Sequence, residues 1–214
     1  MGQGNEPRPV RPVLSDPSLR VYLARHGQTA YNLEGRFQGH LPVPLDATGR
    51  AQAAELAERA AGHDFRVLWC SPLLRARETA DIVARRIGLR PREDTRMMET
   101  DAGAWTDRSF LDVRAEDRER FDAFASADPA FAFPGGESFA EQDERVNAAL
   151  AEIEAGELPA LVVCHGMVIR AALTRRAGHR SERFERVANG ALVPLDPIAA
   201  EHEDLGGGAA TPAS

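Results

Sequence analysis

Two short apolar runs, far apart in the chain and ending alike, constrain this sequence most. Val21-Tyr22-Leu23-Ala24 closes on Arg25-His26-Gly27, and Leu161-Val162-Val163 closes on Cys164-His165-Gly166. Each reads as a strand that delivers a histidine followed by glycine at its end. In open α/β sheets the reactive residues gather beyond the carboxyl ends of the strands. Two histidines delivered this way can converge on one site.

The rest of the chain supports such a sheet. Strand-like and helix-like patterns alternate, which predicts an α/β fold of three layers, α/β/α, around a mostly parallel sheet. The first strand spans 19–24, and 26–46 reads as loop, rich in Gly and Pro. Thr48 to Ala61 is an amphipathic helix stopped by Gly62. Val67 to Cys70 is a short buried strand, after which Ser71-Pro72 reads as an N-cap with proline at the first helical position, opening a helix that runs to Gly88. A weaker strand is expected within 89–95, and helices within 110–125 and 138–155. The second histidine strand is followed by a helix over 167–177, and a last strand over 191–195. Pro194 lacks a donor for a ladder hydrogen bond, which sends that strand to the sheet edge. Residues 1–18, with four prolines, are expected to form an irregular arm, and 199–214 a flexible tail, leaving 19–198 as a single domain.

Charge narrows the partners. The chain carries 33 acidic against 26 basic residues, a net charge of −7, so nonspecific attraction to nucleic acid or to an anionic membrane has no support. All 26 basic residues are arginine. Without lysine there is no Walker A loop and no Schiff-base chemistry. A guanidinium offers a planar fork that suits phosphate oxygens. The two cysteines, Cys70 and Cys164, end apolar runs without metal or disulfide spacing and read as small buried residues. No run approaches membrane-spanning length and no signal peptide opens the chain, so a cytoplasmic protein is expected.

Phosphoryl transfer without a metal needs a nucleophile, charge neutralisation of the equatorial oxygens and an acid for the leaving oxygen. His26 is the candidate nucleophile, and neighbouring arginines would keep it neutral. Gly27 allows close backbone approach, and Thr29 offers a hydroxyl donor. Arg25 and Arg75 are the candidate guanidiniums, the latter near the start of a helix, where anions are favoured. His165 is the partner imidazole, and Gly166 follows it.

These residues resemble the histidine phosphatase superfamily, which includes the phosphoglycerate mutases. Arg25 through Gly39 follow the form RHGxTxxNxxxRxQG, with Asn32, Arg36, Gln38 and Gly39 in register; Ser71-Pro-Leu-Leu-Arg75-Ala-Arg-Glu-Thr79-Ala80 follows SxxxRAxxTA, and Pro134-Gly-Gly-Glu-Ser138 follows PGGES. The resemblance implies a phosphoglycerate mutase-like fold with one antiparallel edge strand and a phosphohistidine on His26. It also implies phosphate contacts from Arg25, Thr29, Asn32, Gln38, Gly39, Arg75 and Gly166, and catalytic roles for His165 and Glu99. Glu99 falls where the superfamily keeps its general acid, with Gly103 and Trp105 in the ExxxGxW spacing; Asp101 is its rival in sequence. Asp107 departs from the glycine that normally ends GxWxG, which leaves the conformation of that loop open, and Val43 replaces a frequent aspartate.

The implied activity is that of a metal-independent phosphomonoesterase acting on a small phosphorylated metabolite, with no cofactor. Its alternatives are a cofactor-dependent phosphoglycerate mutase and a non-catalytic phosphate-binding module. Mutases of the family carry a longer, lysine-bearing insertion between acid and PGGES, and here that span is short and lacks lysine. The Asp/His clusters of a metallophosphatase are missing. A homodimer stays open. His40, His63, His179 and His202 read as surface or satisfied core residues, and Arg114 and Arg118 as a solvated helix face. Five phenylalanines between 110 and 133 read as a small subcore under a lid; the resemblance implies that this segment borders the pocket, which makes the phenylalanines and Arg108 the candidates for setting specificity.

Overall fold

The computed structural model describes residues 20–176 and 187–195. The expected arm over 1–18, the tail over 199–214, the ends of the first strand and last long helix at Leu19 and Ala177, and His179 and His202 all lie outside the described residues.

Five strands form one sheet: β1 (Val21–Arg25), β2 (Val67–Cys70), β3 (Pro91–Glu93), β4 (Ala160–Cys164) and β5 (Leu192–Leu195), in the order β3-β2-β4-β1-β5. All neighbours run parallel except β1 and β5, whose antiparallel register places Pro194 opposite Tyr22 at the sheet edge. Pro194 is tolerated because β5 pairs on one side only.

Helices cover both faces, and the two-residue period of the strands decides what each face buries. On one face Val21, Leu23, Val162 and Cys164 pack with Val146, Leu150 and Ile153 of α6 (Phe139–Glu154) and Val168, Ile169 and Ala172 of α7 (Gly166–Arg176). On the other, Tyr22, Ala24, Leu68 and Val163 pack with Leu56, Ala57 and Ala60 of α2 (Ala47–Ala60) and Ala76, Ala80 and Val83 of α3 (Leu74–Ile87). Both runs are wholly apolar because parallel strands covered on two faces have no solvent side. Among the described residues no helix is long and apolar enough to cross a membrane.

Local structure departs from the sequence expectation in two places near the strand ends. The stretch expected as loop holds a short helix, α1 (Ala30–Glu34), closed at its start by a reciprocal capping box between Thr29 and Asn32 and at its end by Gly35 in the left-handed region at φ 66°. Ser71 does not cap α3. The helix begins at Leu74 after Leu73, with no side-chain cap, and the Ser71 hydroxyl, two residues further out, lies 2.7 Å from His165 Nε2 and accepts from Leu73 N at 3.2 Å.

The segment between Glu99 and Ser138 forms α4 (Phe110–Glu116) and α5 (Arg118–Ser126), parted at Asp117, whose carboxylate accepts from Arg120 N at 3.1 Å. Its aromatic residues, with Phe37 and Trp105, build a third apolar cluster of edge-to-face and tilted rings. The subcore expected from the phenylalanines is therefore present.

Candidate active site

His26 and His165 directly follow β1 and β4, which are hydrogen-bonded neighbours, so the sheet register itself brings the two imidazoles together. Their ring centroids are 5.1 Å apart, and the residues are 2% and 0% exposed. The His26 Nδ1 lies 2.7 Å from the Gly27 carbonyl oxygen. A carbonyl only accepts, so Nδ1 carries the proton and Nε2 keeps its lone pair.

Burial is the largest cause holding both imidazoles well below their ordinary pKa. For His26 the guanidiniums of Arg75 and Arg25 add to it, against the Gly27 hydrogen bond; for His165 Arg75 comes next, followed by His26 and Arg25. The neutral form expected for His26 is what this environment favours. Among the described residues His165 Nδ1 is buried without a hydrogen-bond partner, while its Nε2 is on Ser71 Oγ.

Close packing fixes the backbone that carries His26. A β-carbon on Gly27 would come within 2.2 Å of the Gly49 carbonyl oxygen, and one on Gly49 within 2.0 Å of the Gln28 carbonyl oxygen. The two glycines thus let the segment after β1 touch the first turn of α2. Thr79 ties the same segment to α3, accepting from Gly27 N at 3.1 Å and donating to the Arg75 carbonyl at 2.8 Å.

Arg75 is completely buried, with Nη2 on the Gly39 carbonyl at 2.9 Å and Nη1 on the Leu41 carbonyl at 3.3 Å. Burial pulls its pKa down to about 10, opposed by Glu99, so it remains cationic at neutral pH. Its Nε is buried and, among the described residues, lacks a partner. Arg25 donates to the Val187 carbonyl at 2.5 Å, and Gly166 lies beside it, where a β-carbon would make ordinary contact with Nε at 3.4 Å.

These groups face a cavity of about 360 Å³. Of the residues expected to act here, Arg25, His26, Asn32, Gln38, Gly39, Arg75, Glu99 and Gly166 line it, whereas Thr29 and His165 do not. Thr29 is fully buried, capping α1 and donating to Gln38 Oε1 at 3.0 Å. His165 stands beside His26, with its Nδ1 without a partner among the described residues. The Glu99 carboxylate accepts from Thr100 N at 3.0 Å. Its rival Asp101 accepts from Gly103 N at 3.0 Å and is absent from the cavity wall.

Arg145 and Glu137 hold the Glu99 loop. Arg145 donates to the Glu137 carboxylate at 2.5 and 2.7 Å, and to the carbonyls of Arg96 at 2.6 Å, Met98 at 2.8 Å and Glu99 at 3.4 Å. Glu137 belongs to the PGGES stretch, so that motif anchors the clamp on the Glu99 loop.

At Asp107, where the sequence departs from glycine, the backbone still adopts φ 68°. Asp is among the few residues that tolerate this region. Its carboxylate accepts from Tyr31 Oη at 2.6 Å and Arg36 Nη2 at 2.5 Å, and its carbonyl accepts from Arg36 as well. The loop thus keeps a glycine-like turn and gains an anchor.

Several wall residues carried no sequence signal. Arg170, Met167, Phe37 and Val187 line the cavity with Phe110, Phe124 and Phe133. Asn189 donates to the His26 carbonyl at 3.0 Å and Asn32 Oδ1 at 3.1 Å; the Asn-Gly pair reads in sequence only as a turn. Arg108, expected at the pocket border, is instead paired with Glu116 at 2.5 Å and absent from the wall. The thiols of Cys70 and Cys164 are buried and free, with Cys70 pushed up to about 12 by burial and Cys164 also raised. Among the described residues no three His, Cys, Asp or Glu side chains are grouped to hold a metal ion.

Comparison with known proteins identifies the family. The family described as histidine phosphatase superfamily (branch 1) matches residues 21–201. A Klebsiella pneumoniae protein named "Probable phosphoglycerate mutase GpmB" is 35% identical over 183 residues, covering 83% of this chain and 85% of its own. Among solved structures, mycobacterial glucosyl-3-phosphoglycerate phosphatase is 30% identical with a TM-score of 0.75, over 82% of this chain and 88% of that one. Bacillus stearothermophilus YhfR is 27% identical with a TM-score of 0.76, over 82% and 89%.

Proposed function

Since the chain belongs to the histidine phosphatase superfamily, we propose that it hydrolyses a small phosphorylated metabolite through a phosphohistidine on His26, without a metal ion. The observation that carries this reading is the Nδ1 hydrogen bond of His26 to the Gly27 carbonyl, in a site where burial and two guanidiniums disfavour the imidazolium. It leaves a neutral imidazole with a nucleophilic Nε2.

In the forward half-reaction the Nε2 lone pair attacks phosphorus, the bond from phosphorus to the ester oxygen breaks, and Glu99 gives its proton to the departing alkoxide. Arg25 and Arg75 neutralise the charge spread over the equatorial oxygens, and His165 donates to one of them. Asn32, Gln38, Gly39 and Gly166 shape the phosphate cradle, and Thr29 supports it by fixing Asn32 and Gln38. In the second half the Glu99 carboxylate takes a proton from water, the water oxygen attacks phosphorus, and the P–N bond breaks. Inorganic phosphate leaves, and the neutral imidazole returns.

The relative's name raises a mutase reading, in which the phosphoryl group returns to substrate instead of passing to water. The absence of lysine from the chain favours the hydrolase. A metabolite phosphatase screen in chelator, wild type against His26→Ala, tests the proposal: phosphate release that vanishes in the variant supports it. Net isomerisation of 3-phosphoglycerate with 2,3-bisphosphoglycerate present, without phosphate release, overturns it in favour of the mutase.

A further inference from the structure

Among the described residues, the cationic side chains on the cavity wall are Arg25, Arg36, Arg75 and Arg170, against one carboxylate, that of Glu99. Arg25 and Arg75 are taken up by the phosphoryl group in the proposed reaction. Arg36 is neutralised by Asp107 at 2.5 Å and lies near Glu34 at 3.8 Å. Arg170 is left over. It is half-buried, and among the described residues no hydrogen bond, ion pair or cation–π contact involves it.

A half-buried, unpartnered guanidinium is an unfavourable arrangement unless a ligand completes it. Burial is the sole cause acting on its pKa, and it acts downward; no carboxylate offsets it. Other arginines are either paired with acids, as Arg86 is with Glu58 and Arg96 with Asp94 and Glu152, or, like Arg66, Arg85, Arg90 and Arg114, exposed to water, whereas Arg170 is half-buried on the cavity wall. Arg170 therefore stands apart from the general abundance of arginine.

Its position is set by α7. Arg170 lies four residues after Gly166, one helical turn and about 6 Å along the axis, on the same face of the helix. Both residues line the cavity, with Met167 between them. Gly166 is the residue packed on Arg25. The Arg170 side chain thus starts one turn away from the phosphoryl-binding guanidinium, and Phe110, Phe124 and Phe133 supply apolar wall elsewhere in the cavity.

We infer that Arg170 forms a second anion subsite, so that the preferred substrate is a phosphomonoester bearing another anionic group, a carboxylate or a second phosphate, a few bonds from the phosphoryl ester. The catalytic part of this inference rests on the phosphatase reading. The fork of a guanidinium takes a carboxylate or a phosphate edge in two parallel hydrogen bonds.

The test compares 3-phosphoglycerate with glycerol 3-phosphate, which replaces the carboxylate by a hydroxymethyl group, as substrates of the wild type, Arg170→Gln and Arg170→Lys. The wild type is expected to favour 3-phosphoglycerate, or 2,3-bisphosphoglycerate, by at least about tenfold in kcat/KM, as suits one charge-assisted contact. Arg170→Gln brings that ratio near one, and Arg170→Lys retains part of it. A wild type without the preference, or a preference that survives Arg170→Gln, overturns the inference. Wild-type hydrolysis of p-nitrophenyl phosphate reports on the phosphoryl chemistry alone. If it fails, the phosphatase reading falls, while calorimetric binding of the same ligands to the same three proteins still decides whether Arg170 reads the second anion.

Discussion

The imidazole rings of His26 and His165 stand 5.1 Å apart, both buried, with guanidiniums depressing each of them. Such a pair stays neutral in the folded protein where free histidine would take up a proton. The unfolded chain binds protons near the ordinary value of 6.5, whereas the folded one does not. Stability is therefore complete above pH 6.5 and declines as the pH falls below it. The slope approaches about 1.4 kcal/mol per pH unit for each histidine. Urea unfolding between pH 7.5 and 5.5 measures it, and His26→Asn should flatten the slope. An unchanged slope in that variant contradicts a buried neutral His26.

Gly27→Ala must push a β-carbon to within 2.2 Å of the Gly49 carbonyl oxygen. Backbone cannot yield as a flexible side chain does, so a loss of about 3 kcal/mol in stability is expected. Because His26 is the preceding residue, activity should fall further than stability explains. Denaturant melts and kcat/KM on the same preparation check both.

Glu99→Gln separates acid catalysis from binding. p-Nitrophenolate departs without a proton near neutral pH, while a sugar or glycerol alkoxide does not. The variant should lose about 10²- to 10³-fold in kcat/KM for alkyl phosphates and far less for p-nitrophenyl phosphate. Arg145→Met frees the carbonyls of Met98 and Glu99 from their clamp and is expected to move the same ratio in the same direction, by less. Equal losses on both substrates would remove Glu99 from the acid role.

Asp107 holds a positive φ and is anchored by Tyr31 and Arg36. Asp107→Gly keeps the turn and loses the anchor, whereas Asp107→Val loses both, since a β-branched residue is strained there. Thermal melts should rank wild type above Asp107→Gly and Asp107→Gly above Asp107→Val. A valine variant as stable as the glycine variant would show that the turn is not held at positive φ.

What the sequence made legible follows physical lines. Strands buried on both faces are continuous apolar runs, so β1, β2 and β4 stand out, and the histidines at the ends of two of them are found with them. Arg75 and Glu99 are reached through motif spacing. Arg170 gave no signal, because a lone arginine in a chain whose every basic residue is arginine resembles all the others; its half-buried place on the cavity wall without a partner singles it out. Thr29 was legible as a site residue but not as an N-cap, since its hydroxyl serves Asn32 and Gln38 rather than facing the cavity. Ser71-Pro72 reads as a helix start, but the helix begins later, at Leu74, and the hydroxyl also meets His165, which lies 94 residues away in sequence. A contact that distant has no local pattern.

The most direct measurement is of the covalent intermediate. Rapid acid-free quenching of the wild type with a phosphoryl donor labelled on phosphorus should trap one phosphoryl group on His26. That linkage should be labile in acid, stable in alkali and absent from His26→Ala. Label that is stable in acid, or that persists in His26→Ala, would contradict nucleophilic attack by this histidine.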